Sequence, residues 1–201
     1  VSLLLSAAFL SGFIGHTQKG PPQTGGAGIR IDPPSPSKIA FLSYGDGGGE
    51  IYVMSSDGSA QTRLTSTLNN SDPAMSPDGH KVAFTSSRNG NQEIYVMNSD
   101  GTGQTRLTSN GATDWSPAWS PDGSKIVFVS NRHGNFEIYV MNANGTGVTR
   151  LTNNGAPDLY PTWSPDGTTV AFARANSIYV MEADGSNQAS LGASGSAPDF
   201  S

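Results

Sequence analysis

One internal repeat dominates the sequence and occurs four times between residues 38 and 201. Its clearest landmarks are Phe41, Phe84, Phe128 and Phe172, which lie 43 or 44 residues apart. Repeats of this length build propeller blades or helical solenoids. Each repeat also contains turn signals at intervals of about five to twelve residues, which leaves no room for a helix of ordinary length. The repeat therefore predicts an all-β chain.

Each repeat divides into four predicted strands, A to D. In the third repeat they are Pro117–Ser120, Lys125–Ser130, Glu137–Met141 and Thr149–Thr152. A Ser-Pro-Asp-Gly sequence typical of a type I turn follows strand A, and Asn144-Gly145 favours a tight hairpin between strands C and D. Strand C is apolar on both faces, so both faces must be covered. A four-stranded meander covered on both faces by copies of itself is a propeller blade.

The motifs WSPDG, S-x-R-x-G-N-x-E-I-Y-V-M and D-G-x-x-x-T-R-L-T resemble the WD-like β-propeller repeats of the TolB family, from Lys38 to Ser201. The resemblance implies a closed ring of blades, commonly six, which is exported to the periplasm or cell surface and binds other proteins. We therefore predict an all-β propeller of four-stranded antiparallel blades, with repeats at about 38–79, 80–123, 124–167 and 168–201. Four repeats predict a fragment of a larger ring of about six blades. A four-bladed ring that uses Arg30–Ser37 as its first strand is the alternative.

The residues before the repeats are of two kinds. Residues 1–15 are almost wholly apolar and uncharged, and residues 16–37 form a linker rich in Gly and Pro. This order predicts a truncated export signal, and the alternatives are a membrane anchor and a buried structural element. The predicted location is the periplasm, the cell surface or the extracellular space.

Composition excludes several kinds of partner and site. The formal net charge is −5 and the 11 basic residues are scattered, so a nucleic-acid partner is not expected. The chain has no cysteine, which excludes disulfides and thiolate metal sites. We predict no cofactor, and the open alternative is a cation such as calcium in the central channel or the loops.

Binding residues are predicted on one face of the ring. The A–B and C–D turns are minimal and share one face, here called the turn face; the B–C loops and D–A links are longer and share the other, the loop face. Because binding residues concentrate on longer loops over a rigid scaffold, the predicted binding residues are Arg88, Asn91, Glu93, Asp114, Trp115, Arg132, Asn135, Glu137, Asp158 and Tyr160.

Some of these candidates recur once per repeat, which also favours a structural role. Asp114 and Asp158 are expected in the links beside Arg88 or Arg132, either as latches between blades or as a ring of carboxylates for a cation or a basic partner. The fourth repeat has a shorter B–C loop without such an arginine. Trp115, in a link on the loop face with Tyr160 and Phe200 nearby in register, predicts a small aromatic patch for a partner, and the alternative is that this side chain is partly buried. Arg63, Arg106 and Arg150 are expected to protect the outer edge of each blade from pairing.

No nucleophile elbow, phosphate-binding loop, H-E-x-x-H or EF-hand motif occurs in the sequence, so we predict that the chain is not an enzyme. The favoured function is an exported protein-binding scaffold of the TolB type. One alternative is the propeller of a truncated prolyl-oligopeptidase-like or tricorn-like peptidase. Another is a structural protein that associates with copies of itself.

Overall fold

The computed structural model of the chain describes residues 38–45, 47–67 and 69–200. The predictions for residues 1–15 and 16–37 lie outside these residues. In the described part every regular element is a β-strand, and no helix there is long and apolar enough to span a membrane.

The strands form four antiparallel sheets in chain order, here called blades 1 to 4. Blade 1 contains β1 (Lys38–Ser43), β2 (Glu50–Ser55) and β3 (Thr62–Arg63). Blade 2 contains β4 (Asn70–Met75), β5 (Lys81–Ser86), β6 (Glu93–Asn98) and β7 (Thr105–Arg106). Blade 3 contains β8 (Asp114–Trp119), β9 (Lys125–Ser130), β10 (Glu137–Asn142) and β11 (Thr149–Arg150). Blade 4 contains β12 (Asp158–Trp163), β13 (Thr169–Arg174), β14 (Ser177–Glu182) and β15 (Ala189–Ser194). The predicted fold of antiparallel blades is confirmed, with four strands in blades 2 to 4 and three described strands in blade 1.

The blades pack because their central strands are apolar on both faces. In blade 2, Phe84 and Tyr95 belong to the cluster shared with blade 1, whereas Ala83 and Ile94 belong to the cluster shared with blade 3. Side chains alternate between the two faces of a strand, so one Ile-Tyr-Val-Met run serves two junctions. The core therefore lies in layers between the blades.

Each junction also contains a close contact between backbone and backbone. Gly101, in the C–D turn of blade 2, has a φ of +87°, and a Cβ placed on it would lie 2.9 Å from the carbonyl oxygen of Leu64 in blade 1. The same approach joins Gly145 to Leu107 and Gly185 to Leu151. Glycine is needed here for both its conformation and its lack of a side chain. We call this the glycine–leucine contact.

Strand A is longer than the sequence predicted. In blade 3 it begins at Asp114, which pairs with Ser130, and it contains a bulge between Trp115 and Ala118. Asp114 and Asp158 therefore lie in first strands, as do Trp115 and Tyr160, and the predicted position of the two aspartates in the links is wrong. The bulge inserts one extra residue into the strand, and Asp114 and Trp115 remain paired beyond it. The paired part of the strand therefore extends towards the loop face.

On the turn face, side chains form hydrogen bonds within their own turns. In the A–B turn of blade 3, Ser120 Oγ donates to Asp122 Oδ1 at 2.6 Å, and Ser124 N donates to the same oxygen at 3.0 Å. These hydrogen bonds lower the pKa of Asp122 to about 2. The aspartates of the other turns with a lowered pKa are held in the same way.

Candidate functional site

A buried carboxylate at the start of strand C organises the loop end of each of the first three blades. In blade 2, Glu93 Oε1 accepts bonds from Arg106 Nη2 at 2.6 Å and the Asn110 backbone N at 3.0 Å. Asn91 Nδ2 donates to the same oxygen at 2.9 Å, and Thr108 Oγ1 donates to Oε2 at 2.5 Å. We call this set the glutamate network. It ties strand C, strand D, the B–C loop and the D–A link into one unit.

The glutamate network recurs with small changes. Glu137 accepts bonds from Arg150, Thr152, Asn154 and Asn135. Glu50 accepts them from Arg63, Thr65 and Asn70. Arg63, Arg106 and Arg150, which were predicted to protect blade edges, each fold the guanidinium back onto a glutamate that is at most 1% exposed.

A second set of arginines covers the aromatic pair at each described junction. Arg132 lies over the rings of Phe128 and Tyr139, with its guanidinium carbon 5.3 and 4.8 Å from the two centroids. Its Nη2 donates to Asp114 Oδ2 at 2.9 Å. Aspartate and arginine thus pair within one blade. Asp114 Oδ1 is buried and has no hydrogen-bond partner among the described residues.

Blade 4 builds the same pair from a residue that sequence reasoning missed. Its B–C loop is short, but Arg174 at the end of β13 donates to both oxygens of Asp158, at 2.6 and 2.7 Å. Its guanidinium lies over Phe172 and Tyr179, as Arg132 does over its own pair. The expectation that the fourth repeat lacks this arginine is wrong, because the side chain reaches the same place from two positions earlier.

Blade 2 departs from this pattern in charge. Arg88 covers Phe84 and Tyr95, but its Nη2 donates to the neutral Asn70 Oδ1 at 3.1 Å, where blades 3 and 4 have aspartate. Burial lowers the pKa of the Arg88 guanidinium and outweighs the opposite effects of Tyr95 and of the charge on Glu50. A complete ring of carboxylates is therefore absent from the described blades.

One group of side chains on the loop face remains available to a partner. Trp115 is half-buried between blades 3 and 4, with its ring centroid 5.3 Å from that of Tyr160 and 6.1 Å from that of Phe136. The interplanar angles are 88° and 82°, so both neighbours stand nearly perpendicular to the indole. Tyr160 is 38% exposed. We call these three residues the aromatic cluster. Phe136 was not among the predicted binding residues, although its equivalent in blade 2 is Gln92, which shows that this position varies between repeats.

The ten predicted binding residues thus separate into three groups. The glutamate network contains four of them: Asn91, Glu93, Asn135 and Glu137. Another four lie in or beside the arginine–aspartate pairs: Arg88, Asp114, Arg132 and Asp158. The aromatic cluster contains the other two, Trp115 and Tyr160. In the described part of the chain no three His, Asp or Glu side chains converge as a metal site would require. A shallow cavity of about 460 Å³ lies above Asn110 and Arg132 on the loop face.

Solved structures share this architecture. The putative TolB of Agrobacterium tumefaciens is similar with a TM-score of 0.73 and 29% identity, over 77% of this chain and 60% of that one. TolB of Acinetobacter baumannii is similar with a TM-score of 0.68 and 28% identity, over 77% of this chain and 40% of that one. The chain thus spans at most about 60% of the length of these two proteins.

A third likeness concerns the fold alone. The nidogen–laminin complex contains a chain with a TM-score of 0.68 and 16% identity, matched over 83% of this chain and 64% of that one. None of the curated proteins matches. The family description "TolB beta propeller domain" matches residues 30–200, which covers all four blades. The chain therefore belongs to the TolB β-propeller family.

Proposed function

We propose that this propeller is an exported, non-catalytic protein-binding module whose partner contacts the loop face. The observation that carries the proposal is the contrast between the two faces. On the turn face, side chains such as Asp122 are committed to their own turns. On the loop face, Tyr160 of the aromatic cluster is 38% exposed, and no turn or network uses its ring. Exposed aromatic side chains on a rigid scaffold are typical of binding sites.

Two further features support the proposal. The solved nidogen–laminin complex shares the fold and is, by its name, an assembly of two proteins. The buried carboxylates of the loop face are saturated with hydrogen bonds or paired with arginine, as in Glu93 and Asp158, which leaves them unsuited to acid–base catalysis. Export is proposed from the uncharged apolar segment 1–15.

Site-specific photo-crosslinking tests the choice of face. A photoreactive phenylalanine analogue replaces His133, an exposed residue of the loop face, or Thr168, an exposed residue of the turn face. In cells of the source organism we expect a discrete protein adduct from position 133 and none from position 168. Equal yields from both positions, or no adduct from position 133, contradict the proposal.

A further inference from the structure

At two of the three described junctions, a glutamine joins the arginine that covers the aromatic pair to the preceding blade. Between blades 1 and 2, Gln104 Oε1 accepts a hydrogen bond from Arg88 Nη1 at 2.6 Å, and Gln104 Nε2 donates to the Leu64 carbonyl oxygen at 3.2 Å. Between blades 3 and 4, Gln188 forms the same two contacts with the corresponding arginine and leucine, at 2.8 and 3.2 Å. A carboxamide therefore fits between a guanidinium group and a backbone carbonyl at these junctions.

The junction of blades 2 and 3 lacks this glutamine. Val148 stands at the position that Gln61, Gln104 and Gln188 occupy in the other three repeats. A valine side chain can neither accept a bond from a guanidinium nor donate one to a carbonyl. Val148 is also 39% exposed, so the valine does not serve to fill the core. The substitution thus removes the carboxamide from one junction without burying an apolar group.

Two polar groups at this junction are left without the partner that they have elsewhere. The Nε and Nη2 atoms of Arg132 donate to Ser130 and Asp114, whereas its Nη1 forms no hydrogen bond within the described part of the chain. The carbonyl oxygen of Leu107, which corresponds to that of Leu64, likewise accepts none from the described residues. Arg132 Nη1 is not among the buried unpaired atoms there, so it is accessible to solvent. A donor and an acceptor therefore remain where a carboxamide bridges their equivalents.

The charges at the junction favour a neutral group over an anion. The Arg132 guanidinium is already paired with Asp114, whose Oδ1 is buried and has no partner among the described residues. A second carboxylate beside Arg132 would be repelled by this buried charge, whereas an amide oxygen would not. In blade 4, Arg174 is paired with an aspartate and still binds the neutral oxygen of Gln188. The chain itself thus provides the precedent for an amide at such a pair.

We propose, resting on the protein-binding function above, that the junction of blades 2 and 3 binds the carboxamide of a glutamine or asparagine side chain of the partner protein. The carboxamide oxygen accepts a hydrogen bond from Arg132 Nη1, and its nitrogen donates to the Leu107 carbonyl oxygen. Arg132 also lines the shallow cavity of the loop face, which gives a partner access to it. The partner thereby completes a contact that the chain makes by itself at the other two described junctions.

The variant Val148→Gln tests whether the junction has this geometry. The new side chain should form both hydrogen bonds and raise the melting temperature by about 2–4 °C. Val148→Thr is the matched control, because it keeps the branched shape but ends at the γ position, and it should melt within about 1–2 °C of the wild type. A Val148→Gln variant that melts no higher than Val148→Thr overturns the inference.

Nuclear magnetic resonance with propionamide tests the choice of ligand on the full chain. We expect a saturable shift of the Arg132 Nε–H signal, with a Kd of about 1–100 mM, in the wild type and in Val148→Thr but not in Val148→Gln. Propionate is the charged control and should bind more weakly. Absence of a saturable shift, binding of propionate as strong as that of propionamide, or an equal shift in Val148→Gln overturns the inference.

Photo-crosslinking in cells separates this inference from the proposed function. Val148→Gln fills the site with the chain's own carboxamide, so the adduct from position 133 should fall by about tenfold, whereas Val148→Thr should retain it. An adduct that forms equally in both variants refutes this inference and leaves the proposed function intact. Propionamide binding without an adduct in the wild type contradicts the proposed function instead.

Discussion

Replacing Glu93 with glutamine tests whether the glutamate network holds the blade together. The side chain is fully buried, and its two oxygens accept four hydrogen bonds. Glutamine keeps the shape but removes the charge, and its amide nitrogen, where it faces Thr108, must donate to the hydroxyl that donates to Glu93 in the wild type. That bond is reversed, the bonds from Asn91 and the Asn110 backbone become neutral, and the Arg106 guanidinium loses its charged partner.

The expected cost is about 3 kcal/mol in the free energy of unfolding. Charge-assisted hydrogen bonds contribute about 1.5–3 kcal/mol and neutral ones about 0.5–1.5 kcal/mol. Breaking a buried ion pair costs about 3–5 kcal/mol, and we take the lower end because the Arg106 side chain remains 25% exposed and regains part of its hydration. For a domain of this size the melting temperature should fall by about 6–12 °C.

The dependence on pH provides an internal check. Burial raises the pKa of Glu93, but hydrogen bonds from Thr108, Asn110, Arg106 and Asn91 outweigh it and hold the pKa below the ordinary value of 4.5. The ionised carboxylate therefore stabilises the fold above about pH 4.5, and this contribution is lost as the pH falls through the lower pKa of the folded state. The difference in the free energy of unfolding between wild type and Glu93→Gln should therefore become smaller at acidic pH.

Urea unfolding followed by tryptophan fluorescence at pH 7 and pH 3 measures both effects. Glu182→Gln is the matched control, because Glu182 is exposed on strand C of blade 4. A loss below about 1 kcal/mol at pH 7, or an equal loss at both pH values, would refute the reasoning. Such a result would mean that solvent or neighbouring side chains replace the network at little cost.

Two further substitutions test the junctions. Gly185→Ala should destabilise the fold by about 2–4 kcal/mol, because the added Cβ would lie 2.7 Å from the Leu151 carbonyl oxygen. Gly58→Ala is the control, because Gly58 also has a positive φ, +84°, but no described atom lies within 4 Å of the added Cβ. It should lower the free energy of unfolding by only about 1 kcal/mol. Thermal unfolding compares the two, and equal losses would contradict the close contact. Arg174→Lys should lower the free energy of unfolding by about 1–2 kcal/mol, since lysine cannot form the bidentate contact with Asp158. An unchanged midpoint of urea unfolding would show that a single positive charge is enough.

The fold was predictable from the sequence because its signals are local and repeated. The Ser-Pro-Asp-Gly turns and the apolar strand C each specify their structure within a few residues, and four copies of the pattern agree. The first strand was predicted too short because a bulge shifts its register between Trp115 and Ala118. Such a bulge breaks the alternation of side chains on which strand prediction relies.

The contacts of the site were less predictable because they depend on where the ends of long side chains lie in the folded chain. Arg174 lies two positions before the place where a loop arginine was sought, yet its guanidinium reaches the equivalent position over Phe172 and Tyr179. Arg106 appeared to be an edge charge until its contact with Glu93 was known. Phe136 is distinguished only by comparison with Gln92. Spacing along the chain does not report these contacts, since long side chains span more than one position.

The glycine–leucine contact also bears on how such a protein can evolve. Gly101, Gly145 and Gly185 each contact the leucine of the preceding blade in the same way, so this part of the junction is alike at the three described junctions. Duplication or recombination of one repeat unit in the gene therefore reproduces this contact at each new junction. The loop face can diverge in the copied blade while its junctions stay intact, which allows an aromatic cluster to arise at one junction only.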